Sequence, residues 1–70
     1  VMQSAYRHGA SLADIRHAVS HYSDIFDVGD GMTMVIGVGR SGAVLEVGVV
    51  ERYDDLYVVH AMSARAKFLR

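Results

Sequence analysis

The chain has 70 residues, 51% of them hydrophobic, with seven Lys and Arg against eight Asp and Glu, four His, and neither Cys nor Pro. That is enough for one domain and not two, and the lack of cysteine excludes disulfides, cysteine-ligated zinc and a cysteine nucleophile. A formal net charge of −1 counts against bulk electrostatic attraction to nucleic acid, but does not exclude a local basic patch.

A domain of roughly 60 residues buries only about 60% of its unfolded surface, so a partner chain, identical or different, that completes the burial is favoured. The absence of cysteine fits a reducing, cytoplasmic compartment. No apolar run approaches the roughly 18 residues of a membrane span, and no segment resembles a signal peptide, so no membrane partner is expected. The chain starts at Val1 and stops at Arg70 inside a basic segment, so neither end is expected to be quite the natural one.

In chain order, Val1 to His8 reads as a short helix stopped by Gly9. Ser11, with Asp14 three residues on, approximates a capping box and opens a second helix. Leu12, Ile15, Val19, Tyr22 and Phe26 recur at helical spacing, while Asp14, His17, His21 and Asp24 fall on the opposite, wet face. That helix is expected to end near Tyr22, with Ile25 to Val28 a short strand. Met32 to Val38 and Ala43 to Arg52 read as strands joined by Gly39-Arg40-Ser41-Gly42. After a turn at Tyr53-Asp54-Asp55, Leu56 to Met62 is another strand, and Ser63 to Arg70 reads as a helix start capped by Ser63. The expected fold is therefore α+β: two N-terminal helices on a three- to four-stranded antiparallel sheet, with a short C-terminal helix.

A two-residue first loop opposes Val38 to Ala43 and Ile36 to Leu45. A three-residue second loop opposes Arg52 to Leu56 and Gly48 to His60. One face then holds Met32, Met34, Ile36, Val38, Ala43, Leu45, Val47, Val49, Tyr57, Val59 and Ala61, without a charge, and should receive the helix. The other face mixes Val35, Val44 and Val58 with Glu46, Arg52 and His60, and includes Gly37 and Gly48, mid-strand glycines of the kind that mark a close approach. Function is expected there, unless the C-terminal helix simply covers it. A one-residue slip in either hairpin would exchange the faces.

Gly37-Val38-Gly39-Arg40-Ser41-Gly42 matches the dinucleotide pattern G-x-G-x-x-G, but a strand follows it where that motif needs a helix, so it reads as a hairpin turn. His17 and His21, four apart, with Asp24 beyond, have a spacing open to metal, but a solvated polar face is the preferred reading and no metal or other cofactor is expected. Glu46 and His60 are diagonal cross-strand neighbours, suited either to acid–base chemistry or to a structural hydrogen bond, the latter being commoner. Arg65, Lys67 and Arg70 form a basic cluster fit for phosphate or, alternatively, a solvated helix face; Arg52 adds a cation on the Glu46 face. Tyr6, Tyr22, Tyr53 and Tyr57 are candidate stacking platforms, although Tyr22 and Tyr57 are expected rather to serve the core.

Several segments, in order, resemble the BrnT-like branch of the RelE-fold toxins. Arg7-His8-Gly9-Ala10 is similar to that family's K-H-G-V start, and Asp24-Ile25-Phe26-Asp27 to its acidic strand. Val35-Ile36-Gly37 and Leu45-Glu46-Val47 resemble its next two strands. His60-Ala61-Met62-Ser63-Ala64-Arg65-Ala66-Lys67 resembles its closing H/S-A-R-x-A-x-x-K motif. The resemblance spans residues 6–68. It implies a single RelE-like domain over residues 1–70, the toxin of a type II toxin–antitoxin pair, which cleaves RNA without metal or inhibits translation at the ribosome and is neutralised by a cognate antitoxin. On that pattern Arg65 and Lys67 hold the scissile phosphate, His60 or Glu46 moves the proton of the ribose 2′-hydroxyl, and Arg52 and Arg70 add RNA contacts. Met62 departs from the family, many of whose members carry arginine there, and Phe68 from its charged continuation. These departures keep a second expectation open: a non-catalytic interaction module whose Glu46/His60 face binds a protein.

Overall fold

A computed structural model of the chain describes the backbone of residues 2–4 and all of residues 10–69. Strand β1 (Met2–Ser4) is followed by helix α1 (Leu12–Ser20) and strands β2 (Tyr22–Gly29), β3 (Met32–Val38), β4 (Val44–Arg52) and β5 (Asp55–Ser63), then a single 3-10 turn, Ala66–Phe68. The sheet order is β1-β5-β4-β3-β2: β2 to β5 form an antiparallel meander, and β1 lies parallel beside β5, Met2 opposite Leu56.

The class is α+β, as the sequence predicts, with two changes. Where a first helix was expected, Met2–Ser4 is a strand; the rest of that stretch, like Arg70 at the other end, lies outside the described residues. The C-terminal segment is one 3-10 turn with Arg65 at its N-cap position, because β5 continues through Ser63, which cannot then cap a helix.

Helix α1 starts as its cap predicts, with the Asp14 N–H donating to Ser11 Oγ at 3.1 Å. It ends at Ser20, and Tyr22 begins the next strand, so the apolar stripe is shorter than the spacing implied. Ile15 and Ala18 are its buried residues, packed with Val35, Leu45, Val47, Val49, Val58 and Ala61. Gly37 lies under the helix, and a Cβ there would run into the Ala18 carbonyl oxygen.

Register explains which face α1 covers. The first turn is longer than predicted: Val38 pairs with Val44, Ile36 with Glu46 and Gly37 with Leu45. Gly42, at φ +90°, donates to the Gly39 carbonyl, and the Gly39 N–H to the Ala43 carbonyl, closing a five-residue loop. Relative to β4, the alternation of β3 is therefore exchanged: Val35 and Gly37 face the helix, while Met34 and Ile36 share the other face with Glu46. The second turn is shorter than predicted, with Arg52 opposite Asp55. A bulge at Val59 then restores the expected pairing of Gly48 with His60.

The polar side of α1 is not simply solvated. Asp14 Oδ1 accepts the Arg40 N–H at 2.9 Å, and His17 Nδ1 donates to the Val38 carbonyl at 2.7 Å, so the helix grips the β3–β4 turn. On edge strand β2 the N–H groups of Ile25 and Gly29 are taken by Asp24 Oδ1 and Asp27 Oδ1. The acidic residues of this strand thus satisfy two backbone donors of the sheet edge. Among the described residues no helix is long and apolar enough to cross a membrane.

Candidate functional site

On the face away from α1, Glu46 is completely buried in the middle of the sheet. A buried carboxylate is costly unless its oxygens are fully engaged, and here they are. The Arg65 backbone N–H donates to Oε1 at 2.8 Å. Arg65 Nε lies 3.0 Å from Oε1 and 3.1 Å from Oε2, and Arg65 Nη2 donates to Oε2 at 2.8 Å. His60 Nε2 donates to Oε2, also at 2.8 Å.

Three elements place these groups. Glu46 comes from β4, His60 from β5 beside the vacant side of Gly48, and Arg65 from the segment that follows β5. A Cβ on Gly48 would touch the His60 Cβ and the Met32 sulfur, so this glycine makes room for the imidazole. Burial works against the Glu46 charge, but the Arg65 side chain, the Arg65 N–H and His60 outweigh it and hold the carboxyl at about 2. In return the carboxylate raises the Arg65 guanidinium above its ordinary value. Glu46 is therefore ionised at neutral pH, and Arg65 and His60 are oriented by it.

Arg65 is about half exposed and His60 about one-quarter exposed, so both reach solvent from the carboxylate they share. Beyond Arg65 the chain crosses the same face as a strap. Phe68 packs on Phe26 with ring centroids 5.5 Å apart, and Arg65 and Lys67 approach the Phe68 ring at 5.7 and 5.2 Å. The strap lies by Ile36, which with Met34 is buried although α1 is on the opposite face.

Of the residues predicted from sequence, Glu46, His60 and Arg65 are thus brought together, and Lys67 stands exposed on the same strap. Arg52 is apart from them, near the far end of β4 and roughly 20 Å along the strand from Glu46. Arg70 is outside the described residues. Sequence reasoning missed Arg65 as the direct partner of Glu46, since no periodicity links a strand residue to a segment that folds back over it. It also missed the strap role of Phe68; an aromatic among cations was the available signal.

His17 and His21 stack with ring centroids 4.5 Å apart, but the Nδ1 of each is engaged by a carbonyl, and Asp24 is on β2. Among the described residues no three His, Asp or Glu side chains gather as a metal site. Comparison of the chain with protein-family models, curated proteins and solved structures finds no match.

Proposed function

We propose that the chain is the toxin of a type II toxin–antitoxin pair, a cytoplasmic protein of RelE-like, BrnT-like type. It arrests growth by metal-independent RNA cleavage or by inhibiting translation, and a cognate antitoxin neutralises it. The order of the resembling segments over residues 6–68 supports the family reading. The observation that carries the chemistry is the meeting of His60 and Arg65 on the buried carboxylate of Glu46.

In this reading Glu46 is a positioning residue, since a carboxylate held at about 2 is a poor proton acceptor at neutral pH. The imidazole of His60 takes the proton of a ribose 2′-hydroxyl. That oxygen then attacks the adjacent phosphorus and the bond to the 5′-oxygen breaks, the departing oxygen taking a proton from water, which leaves a 2′,3′-cyclic phosphate and a 5′-hydroxyl. With Nε and Nη2 of Arg65 occupied by Glu46, its Nη1 edge and the Lys67 ammonium neutralise the phosphate.

The test is expression of the chain in a host, with growth and RNA integrity compared among wild type, His60→Gln and Lys67→Ala. These variants leave the Arg65–Glu46 contact in place. Arrest and RNA breakdown confined to the wild type support the proposal; arrest that persists in a folded His60→Gln/Lys67→Ala double variant rejects it.

One observation favours a second reading, the non-catalytic interaction module. Every hydrogen bond from Arg65 to Glu46 also serves to fix the C-terminal strap on the sheet, a role that needs no chemistry. Purified, folded protein that binds a partner and leaves RNA intact at any concentration would decide for it.

A further inference from the structure

Helix α1 ends on a pair of histidines whose rings are both tied to the main chain. The His17 Nδ1–H donates to the Val38 carbonyl at 2.7 Å, and the His21 Nδ1–H to the His17 carbonyl at 3.1 Å. A carbonyl can only accept, so each Nδ1 carries a proton and, in the neutral ring, each Nε2 carries a lone pair. The rings lie almost parallel, 22° apart in plane, with centroids 4.5 Å apart. Each Nε2 stands on the ring edge turned away from the carbonyl that holds its Nδ1. Among the described residues no hydrogen bond reaches either Nε2.

A histidine that ligates a metal ordinarily gives its other ring N–H to a carbonyl or carboxylate, which fixes both the tautomer and the direction of the ring. Here both rings of a pair four residues apart are fixed in that way. The His17 carbonyl already accepts the His21 main-chain N–H at 3.0 Å, so the imidazole bond is additional to the closure of the helix, and what it adds is the orientation of the ring. With metal–nitrogen distances of about 2.0–2.1 Å, two nitrogens on one ion stand roughly 3 Å apart. Rings with centres 4.5 Å apart reach that separation by tilting toward each other.

We propose that His17 and His21 form a two-histidine site for a divalent transition cation, bound through both Nε2 atoms with water in the remaining positions. Imidazole suits copper, nickel and zinc, and copper is held most tightly. No third His, Asp or Glu side chain joins the pair among the described residues, so the ion sits at the surface and exchanges with solvent. It spans the last turn of α1 and the residue that leads into β2, and its binding stabilises that corner of the fold. The pair lies on the helix side of the sheet, away from His60 and Arg65. The assignment therefore stands whether or not the chain acts on RNA, and the ion takes no part in that chemistry.

The test titrates the untagged full chain with Zn2+ and follows the carbon-bound imidazole protons by NMR. Cu2+ with electron paramagnetic resonance then counts the nitrogens on the ion. The His17 and His21 signals are expected to shift together and to saturate at one ion per chain. The copper spectrum should show two nitrogens, and the melting temperature should rise with Zn2+ concentration. His17→Gln and His21→Gln should each weaken binding by about tenfold or more, since either leaves a single ligand, and His60→Gln should leave it unchanged. The His21 ring bonds only within the last turn of the helix, so His21→Gln without metal should melt close to the wild type, which separates loss of the ligand from loss of the fold.

Binding as tight in either single variant as in the wild type overturns the proposal, because the two rings then do not act as a pair. So does Zn2+ that shifts His8 or His60 ahead of His17 and His21. One ion per two chains, with a sedimentation coefficient that rises on adding Zn2+, overturns it in favour of a site shared between two copies.

Discussion

Glu46 lies beneath the start of the C-terminal strap, so that its Oε1 accepts both the main-chain N–H and the Nε of one residue, Arg65. A carboxylate on β4 thereby sets both the path of the backbone and the direction of the guanidinium. Glu46→Gln keeps the shape but puts a donor NH2 in place of one of two oxygens that both accept hydrogen bonds. The expected cost is about 2 kcal/mol, measured by urea denaturation. Amide exchange should also accelerate at Phe68 and Leu69, whose N–H groups close the strap turn.

The same contact predicts a pH dependence. The Glu46 carboxyl is lowered from 4.5 to about 2, so the folded state binds this proton more weakly than the unfolded state. The stability it contributes is present in full above about 4.5 and is lost as pH falls through the interval toward 2. Thermal unfolding scanned over that interval should show wild-type stability falling more steeply than that of Glu46→Gln.

Gly37 and Gly48 make unequal demands. A Cβ on Gly37 meets the main chain of α1 at Ala18, which cannot yield without lifting the helix. A Cβ on Gly48 meets the His60 Cβ at 3.0 Å and the flexible end of Met32 at 3.1 Å. Gly37→Ala should therefore destabilise by about 3 kcal/mol or prevent folding, with Gly48→Ala nearer 1 kcal/mol. Melting curves followed by circular dichroism would rank them.

Asp14 and His17 hold the β3–β4 turn to the helix. Asp14→Ala removes the acceptor of the Arg40 N–H and should cost about 1 kcal/mol, with faster exchange at that amide. His17→Ala should behave similarly through the Val38 carbonyl.

Much of this arrangement was legible in the sequence. The alternating runs located β3, β4 and β5, and the Ser11 cap located the start of α1. The Glu46–His60 contact was legible for a less secure reason. The second turn is one residue shorter than expected and the bulge at Val59 one residue longer, so the two differences cancel at Gly48 and His60. Nothing cancels the difference at the first turn. Both sides of β3 are apolar, so alternation there could not say which side faces the helix, and loop length alone decided it. The strap was not legible, because its anchor depends on a buried charge rather than on a periodic pattern.

The parallel placement of β1 beside β5 gives folding a definite order of opportunity. The meander from β2 to β5 can zip through neighbouring hairpins as the chain emerges, but Met2 must wait for Leu56. On the ribosome β1 is thus made before the strands of the meander yet placed after them, and until then the edge of β5 stands open to other strands. Joining β1 to β5 is a long-range closure that slows folding and leaves the nascent chain exposed to misassembly in that interval.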